Sequence, residues 1–234
     1  MENDRRIQMW MAGGFLVVII AIAVIAGISS SGTIAPQGGF EATTVAEITP
    51  SDWVTGNASA KVSVIEYGDF QCPACAAYEP IFQQLQRDYA SNVAFVFRNY
   101  PLSQHANGMI TSQAAEAAGL QGKYWEMHDL IYEKQTEWSN ASADTIVSKY
   151  LNIYAQSLGL DVAKFNADLN STVVKQKIQT DMATANAAKV DHTPTFFVNL
   201  RQIPNPQSAA AFKAVIDAAL AAPEAGLASS TVQQ

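Results

Sequence analysis

The chain has 234 residues, of which 49% are hydrophobic and 15% charged, and its formal net charge is -7. This composition excludes a disordered chain, and only 14 basic residues spread over the whole length argue against a nucleic-acid-binding protein, because phosphate recognition needs clustered Lys and Arg. Two cysteines exclude a disulfide-stapled miniprotein and a four-thiolate zinc protein.

An uncharged apolar run at residues 7–28 predicts a transmembrane anchor, because a helix of this length covers about 30 Å of hydrocarbon. Arg5 and Arg6 precede it and no basic residue follows closely, which predicts that residues 1–6 stay in the cytoplasm and that the rest is periplasmic or on the cell exterior. A cleaved signal peptide is the alternative, although its apolar region is usually shorter. Residues 29–49, rich in Ser, Thr, Gly and Ala, are predicted to form a flexible linker.

The remainder is predicted to be an α/β domain in which a long helical stretch separates two groups of strands and helices. Short β-branched or apolar runs predict strands, and apolar residues three or four positions apart predict amphipathic helices. In chain order these are a strand at 62–67, a helix at 73–89, a strand at 93–98, several helices within 103–189, a strand at 195–199 and a helix at 208–222.

The reactive groups are predicted at Cys72-Pro73-Ala74-Cys75, directly where the first long helix begins. Unpaired N–H groups and the helix dipole at a helix N-terminus stabilise a thiolate, so Cys72 is the predicted nucleophile and Cys75 the resolving thiol. Pro73 suits the first helical turn, where its missing N–H is not needed. A disulfide between Cys72 and Cys75 closes a small ring, which is typical of redox exchange rather than long-range stapling.

Two other interpretations of the cysteine pair remain open at this point. The pair could form a local structural disulfide, or it could be half of a metal site. A metal site needs more soft ligands, and the histidines are not spaced as zinc ligands are, so no metal is expected. The three histidines are His105, His128 and His192.

Two further features favour redox chemistry. Glu66 shares strand parity with Val62 and Val64, so a carboxylate points towards the core beneath the thiol pair if those residues do. A buried acid has a raised pKa and can exchange a proton with a thiol, although a surface Glu is the alternative. Thr193-Pro194 stands before an apolar strand; an ordinary Pro is allowed there, but a cis peptide bond would mark a functional turn.

Together the stretches VSVIEYGDFQCPACAAYEP, FRNYPL and VDHTPTFFVN resemble the DsbA-like thioredoxin-fold thiol-disulfide oxidoreductases, especially the membrane-anchored BdbD-like branch. The resemblance covers roughly residues 50–222. It implies a thioredoxin-fold core at 50–102 and 190–234, with an all-helical domain inserted at 103–189 and one transmembrane helix before the core.

The resemblance also implies roles for individual residues. Cys72 becomes the nucleophile, Cys75 the resolving cysteine and Glu66 the buried acid. Thr193 and cis-Pro194 become the loop that faces the disulfide and pairs with the backbone of the substrate.

The chain departs from the family at several positions. Ala74 replaces the histidine with which DsbA stabilises its thiolate, so Ala74 and its neighbour Pro73 are expected to tune the redox poise. His192 stands where relatives often have Gly and either favours the thiolate or is a loop residue with no such role. Leu200 follows Asn199 where relatives often have Asn-Gly, so that turn is expected to be reshaped. The other two histidines are expected to be ordinary surface or packing residues.

The expected function is the introduction of disulfide bonds into unfolded secreted or membrane proteins outside the cytoplasm. No cofactor is expected, so a partner must remove the electrons, and the resemblance implies a membrane quinone-linked protein of the DsbB or vitamin K epoxide reductase type. Reduction or isomerisation of disulfides by the same fold is the alternative reaction. A membrane-tethered, chaperone-like binding module with a structural cysteine pair is the alternative from another class.

Overall fold

The computed structural model describes residues 43–222. The predicted cytoplasmic segment (1–6), the predicted membrane anchor (7–28) and most of the predicted linker (29–49) lie outside the described residues. Among the residues from 43 to 222, no helix is both long and apolar enough to cross a membrane.

A five-stranded mixed sheet forms the centre of the fold. Its strands are β1 (Val54–Gly56), β2 (Val62–Gly68), β3 (Val93–Asn99), β4 (Thr195–Val198) and β5 (Arg201–Ile203). They are ordered β1-β3-β2-β4-β5, with β2 and β3 parallel and the other neighbours antiparallel. The three inner strands were predicted from the sequence, whereas the two edge strands, of three residues each, are too short to show a period.

The turn between β4 and β5 explains how an edge strand forms without the usual glycine. Asn199 and Leu200 both have positive φ, at 47° and 65°. A two-residue turn in which both central residues have positive φ matches the twist of the two strands that it joins. The Asn199 side chain accepts a hydrogen bond from the backbone N–H of Ser63 at 3.0 Å, which ties the turn to β2.

The helices follow the predicted order. They are α1 (Pro73–Asp88), α2 (Gly108–Gly119), α3 (Tyr124–Glu133), α4 (Gln135–Trp138), α5 (Ala143–Ile146), α6 (Asn152–Ser157), α7 (Val162–Leu169), α8 (Thr172–Ala187) and α9 (Ala209–Ala221), with a π-helical turn (Val147–Leu151) joining α5 to α6. Helices α2 to α8 all lie between β3 and β4 in the chain, which confirms the predicted helical insertion.

Helices cover both faces of the sheet, so the inner strands are buried on both sides. One face packs against α1 and α9 through apolar side chains, chiefly Val62, Val64, Phe82, Leu85, Phe212 and Ile216. The opposite face packs against the end of α8 through Ile65, Tyr67, Phe197 and Ala185. Each large apolar side chain buried in this way contributes about 1.5–3 kcal/mol relative to leaving it exposed.

The helical insertion has a core of its own around α2. Four alanines of this helix are fully buried, namely Ala114, Ala115, Ala117 and Ala118. Small side chains on several sides of α2 allow α3, α7 and α8 to approach it closely. Trp138 fills the same core and donates its indole N–H to the Ile131 carbonyl at 2.8 Å.

A group of five buried charged residues, here called the buried ion cluster, joins β3 to α2 and α8. Its members are Asp52, Arg98, Glu116, Lys177 and Asp181. Arg98 donates to Asp52 at 2.9 Å, and the Lys177 ammonium lies between Asp52, at 3.4 Å, and Asp181. Lys177 therefore pairs with carboxylates from two separate segments and shares Asp52 with Arg98.

Candidate active site

The turn between β2 and α1 presents the two thiols at the beginning of α1. Cys72 is the N-cap residue and Pro73 the first helical residue, as the sequence indicated. The Cys72 N–H donates to the Asp69 carbonyl at 2.9 Å, which closes the turn. Both cysteines are free thiols, and Cys72 is 7% exposed while Cys75 is 1% exposed. Cys72 is therefore the more accessible of the two cysteines.

The surroundings shift the pKa values of the two thiols in opposite directions. A hydrogen bond from the Cys75 side chain, together with the backbone N–H groups of Cys75 and Ala74, outweighs burial and lowers the pKa of Cys72 to about 5. Burial raises the pKa of Cys75 well above its ordinary value, and its hydrogen bond to Cys72 and the nearby Glu66 charge add to this effect. At neutral pH Cys72 is a thiolate and Cys75 a thiol. Ala74 contributes to the lowered pKa of Cys72 only through its backbone N–H group.

The loop before β4 lies against the Cys72 sulfur. The Thr193-Pro194 peptide bond is cis, the isomer predicted from the sequence. The Cys72 Sγ lies 3.4 Å from the Thr193 carbonyl oxygen, to which it donates when protonated. The Thr193 side chain is buried against the same sulfur, and its hydrogen bond to the thiolate helps to lower the pKa of Cys72. His192 points to solvent and pairs with Asp191 at 2.6 Å, so the structure places it beside this loop without a contact to sulfur.

Glu66 lies in the core, on the face of β2 that its parity indicated. Val62 and Val64 pack against α1 on that face, and Glu66 follows them at 2% exposure. Its neighbours across the sheet are Phe97 on β3 and Phe196 on β4. Burial, and secondly the negative charge on Cys72, raise the pKa of Glu66 to about 8. The carboxyl is therefore mostly protonated at pH 7 and can exchange a proton with the site.

A second buried acid, which the sequence analysis missed, holds the β2–α1 turn. Asp69 is fully buried and accepts hydrogen bonds from the backbone N–H groups of Gln71 and Leu102, each at 2.8 Å. His105 contacts the same carboxylate at 2.6 Å. His105 was expected to be an ordinary surface or packing residue, but it contacts the acid that fixes the thiol-bearing turn.

The helical insertion also contacts the site through the side chain of Gln135, which no sequence pattern marks as functional. The Gln135 amide donates to the carbonyls of Phe70, at 2.8 Å, and Cys72, at 3.0 Å. These contacts join residues more than 60 positions apart, so no local pattern could have revealed them. They fix the backbone on both sides of the turn.

The thiols do not assemble a metal site in the described part of the chain. The single group of three or more potential metal ligands found there consists of Glu79, His128 and Asp129 and contains no cysteine. The arrangement around Cys72 and Cys75 is thus a low-pKa thiol, a high-pKa thiol and a protonated carboxyl, which is the set of groups that thiol-disulfide exchange uses.

The chain also matches known proteins in sequence. A family model described as thioredoxin matches residues 48–218. A curated relative, the Na(+)/H(+) antiporter NhaA 1 of Salinispora arenicola, is 38% identical over 171 residues, which are 73% of this chain and 25% of the relative. The chain thus spans about a quarter of the length of the curated relatives that it matches.

Solved structures show the same fold. BdbD from Bacillus subtilis, in its oxidised form, superposes with a TM-score of 0.67 at 23% identity, covering 76% of this chain and 98% of that one. A thioredoxin-like oxidoreductase from Silicibacter pomeroyi superposes with a TM-score of 0.62 at 26% identity, covering 75% of this chain and 95% of that one.

Proposed function

Because the chain belongs to the thioredoxin family, we propose that it is a DsbA-like thiol-disulfide oxidoreductase that introduces disulfide bonds into secreted or membrane proteins outside the cytoplasm. One observation carries the proposal: two thiols at one helix terminus have opposite pKa shifts, with that of Cys72 lowered to about 5 and that of Cys75 raised. A structural disulfide needs no such difference.

The first step starts from the disulfide form. A substrate thiolate attacks the Cys72 sulfur, which is the more exposed of the two, and a mixed disulfide forms as the Cys72–Cys75 bond breaks. The electron pair goes to the Cys75 sulfur. Because the pKa of Cys75 is raised well above that of Glu66, the Glu66 carboxyl is a suitable donor of the proton that this sulfur takes up.

The second step releases the product. A second substrate thiolate attacks the substrate sulfur of the mixed disulfide, and Cys72 leaves as a thiolate. The low pKa of Cys72 makes it a good leaving group. The substrate has then lost two electrons, and the protein holds them as the reduced Cys72 and Cys75. We propose that Thr193 and Pro194, which face the Cys72 sulfur, pair with the substrate backbone during both steps.

The low pKa of Cys72 also favours one direction of exchange, in which the disulfide of this protein oxidises the thiols of the substrate. At pH 7, a pKa of about 5 stabilises the reduced form relative to an unperturbed thiol by about 3 kcal/mol, at about 1.4 kcal/mol per pH unit. For a two-electron couple this is about 60 mV towards a more oxidising disulfide. A protein whose reduced form is stabilised in this way gives up its disulfide readily, which favours a dithiol oxidase over a reductase.

The location and the partner belong to the same proposal. Disulfides persist outside the cytoplasm, and the apolar run at residues 7–28 with Arg5 and Arg6 before it supports an anchor that places the catalytic domain there. The reduced pair must return its two electrons to an acceptor, for which we propose a membrane quinone-linked protein of the DsbB or vitamin K epoxide reductase type. A shared membrane would raise the effective concentration of the two partners.

Incubation of the full-length disulfide form with a reduced, unfolded ribonuclease tests the proposal. We expect the ribonuclease to lose two thiols for each protein molecule reduced. Cys72→Ser should abolish this transfer. Cys75→Ser has no disulfide to donate, so it is instead incubated with scrambled, disulfide-containing ribonuclease. The Cys72 thiolate should attack a disulfide of the ribonuclease, and the resulting mixed disulfide should accumulate and be trapped because the resolving thiol is missing. Full activity of Cys72→Ser would favour the chaperone-like module with a structural cysteine pair. Isomerisation of scrambled ribonuclease without net loss of thiols would favour the isomerase.

A further inference from the structure

Three side chains with metal-binding atoms, none of them a cysteine, meet between α1 and α3. Glu79 lies on α1, one helical turn after Cys75, and His128 and Asp129 are consecutive on α3. The His128 Nδ1 lies 2.9 Å from Asp129 Oδ1 and 3.9 Å from Glu79 Oε1. One ligand atom from each residue lies within 4.8 Å of the other two, which is close enough for all three to contact one ion.

Glu79 and His128 are buried, and each has a polar atom without a hydrogen-bond partner among the described residues. Glu79 is 6% exposed, and its Oε1 has no hydrogen-bond partner in residues 43–222. An unpaired buried acceptor of this kind costs about 1–3 kcal/mol. Burial raises the pKa of Glu79 to about 8, while the opposite charge of a protonated His128 would lower it. A cation bound between the three side chains would satisfy this oxygen.

The His128 ring is fixed by the rings around it. It is fully buried, with the ring centroids of Phe97, Trp125 and Tyr132 at 4.7, 5.0 and 5.1 Å. This cage holds Nδ1 towards the two carboxyl groups. Nε2 has no hydrogen-bond partner among the described side chains and backbone, so it can carry the ring proton when Nδ1 binds a cation.

We infer that Glu79, His128 and Asp129 form a binding site for a divalent transition-metal ion, with Zn²⁺ as the best match. One imidazole nitrogen and two carboxylate oxygens are ligands that Zn²⁺ accepts, at about 2.0–2.2 Å. Tetrahedral bonds of that length place ligand atoms about 3.4 Å apart. The two distances at Nδ1 lie on either side of this value, and the Asp129 side chain, at 42% exposure, is free to adjust.

Of the three residues, Asp129 connects the site to solvent, because its side chain is 42% exposed. Asp129 lines a cleft of about 330 Å³ together with Gln83 and Arg87. Water in this cleft can complete a four-coordinate site with three protein ligands. The bound ion would join the thiol-bearing helix α1 to helix α3 of the insertion.

Titration of the full-length disulfide form with Zn²⁺, followed by calorimetry, tests the site. The disulfide form is chosen because thiolates would otherwise bind the metal themselves. We expect one saturable site per chain. Loss of a partner outside the ligand shell already costs 10–100-fold in metal affinity, so Glu79→Gln and Asp129→Asn should each weaken binding by at least about tenfold. Co²⁺ should give a visible absorption band of a four-coordinate site that both variants lose.

The matched control is His192→Asn. His192 and Asp191 form another consecutive His–Asp pair, at 2.6 Å, but they are exposed and lack the third, buried carboxyl group. This variant should bind Zn²⁺ as the native chain does. Asp129 is half-exposed, so Asp129→Asn should fold, which circular dichroism can verify. Absence of saturable binding, or binding that Glu79→Gln and Asp129→Asn leave unchanged, would overturn the inference.

Discussion

Replacing Glu66 by Gln should stabilise the folded protein near neutral pH, even though it removes a group that we propose acts in exchange. The carboxyl lies in the core, and burial is the largest cause of its raised pKa of about 8, compared with an ordinary value of 4.5. Gln has nearly the same shape and does not ionise. The variant therefore avoids the free-energy cost of keeping a carboxyl group protonated in the folded state.

The size of the effect depends on pH in a defined direction. Above pH 4.5 the unfolded chain releases the Glu66 proton, while the folded chain holds it until about pH 8. The stability that the protonated carboxyl contributes is thus fully present below pH 4.5 and is lost as the pH rises to about 8. From pH 4.5 to pH 7, at about 1.4 kcal/mol per pH unit, the loss reaches about 3 kcal/mol.

Urea unfolding of the disulfide forms at pH 5 and pH 7 measures this difference. The disulfide form excludes the Cys72 thiolate, whose lowered pKa makes stability change with pH in the opposite direction. The disulfide form also lacks the Cys72 charge, which makes the smaller contribution to the raised pKa of Glu66. The expected stability difference of about 3 kcal/mol is therefore an upper value. Glu66→Gln should be up to that much more stable than the native chain at pH 7 and less than about 1 kcal/mol more stable at pH 5.

A surface substitution provides the control for this experiment. Glu133 is largely exposed on α3, and Glu133→Gln should change the free energy of unfolding by no more than about 0.5 kcal/mol at either pH. The reasoning would be refuted if Glu66→Gln had the same effect at both pH values, or if it were less stable than the native chain at pH 7.

Three other substitutions or measurements examine separate parts of the structure. Lys177→Met should destabilise the protein by about 3–5 kcal/mol in urea unfolding, because it leaves the buried Asp181 without its cation while Asp52 keeps Arg98, whereas the exposed Lys175→Met on the same helix should change stability by less than about 0.5 kcal/mol. Gly68→Ala should cost about 1–3 kcal/mol, since its new Cβ would lie 2.3 Å from the Phe97 ring; a wild-type unfolding midpoint would contradict that packing. Iodoacetamide should alkylate Cys72 with a pH midpoint near 5, and a midpoint near 9 would show that its thiolate is not stabilised.

The sequence predicted the parts of the site that lie close together in the chain. The N-cap position of Cys72 and the burial of Glu66 follow from local rules: a helix begins at the Pro after the first cysteine, and a strand alternates its side chains between two faces. The inner strands and the helical stretch were equally clear, because their apolar patterns extend over enough residues to show a period.

The parts that were not predicted depend on contacts between distant segments. Asp69 is one position after a strand, and only the fold shows that it binds Leu102 and His105. Gln135 reaches the Cys72 carbonyl from a helix of four residues in the insertion. Such hydrogen bonds have no local period or composition, so they become visible only when the tertiary structure is known.

The central claim is that the Cys72 thiolate makes this pair an oxidant. The reduction potential of the full-length protein, measured at equilibrium with glutathione buffers at pH 7, tests it most directly. The claim predicts a potential clearly above the value of about -270 mV of thioredoxin, in the direction of the value of about -120 mV of DsbA. A potential at or below about -270 mV would contradict it and would favour a reductase.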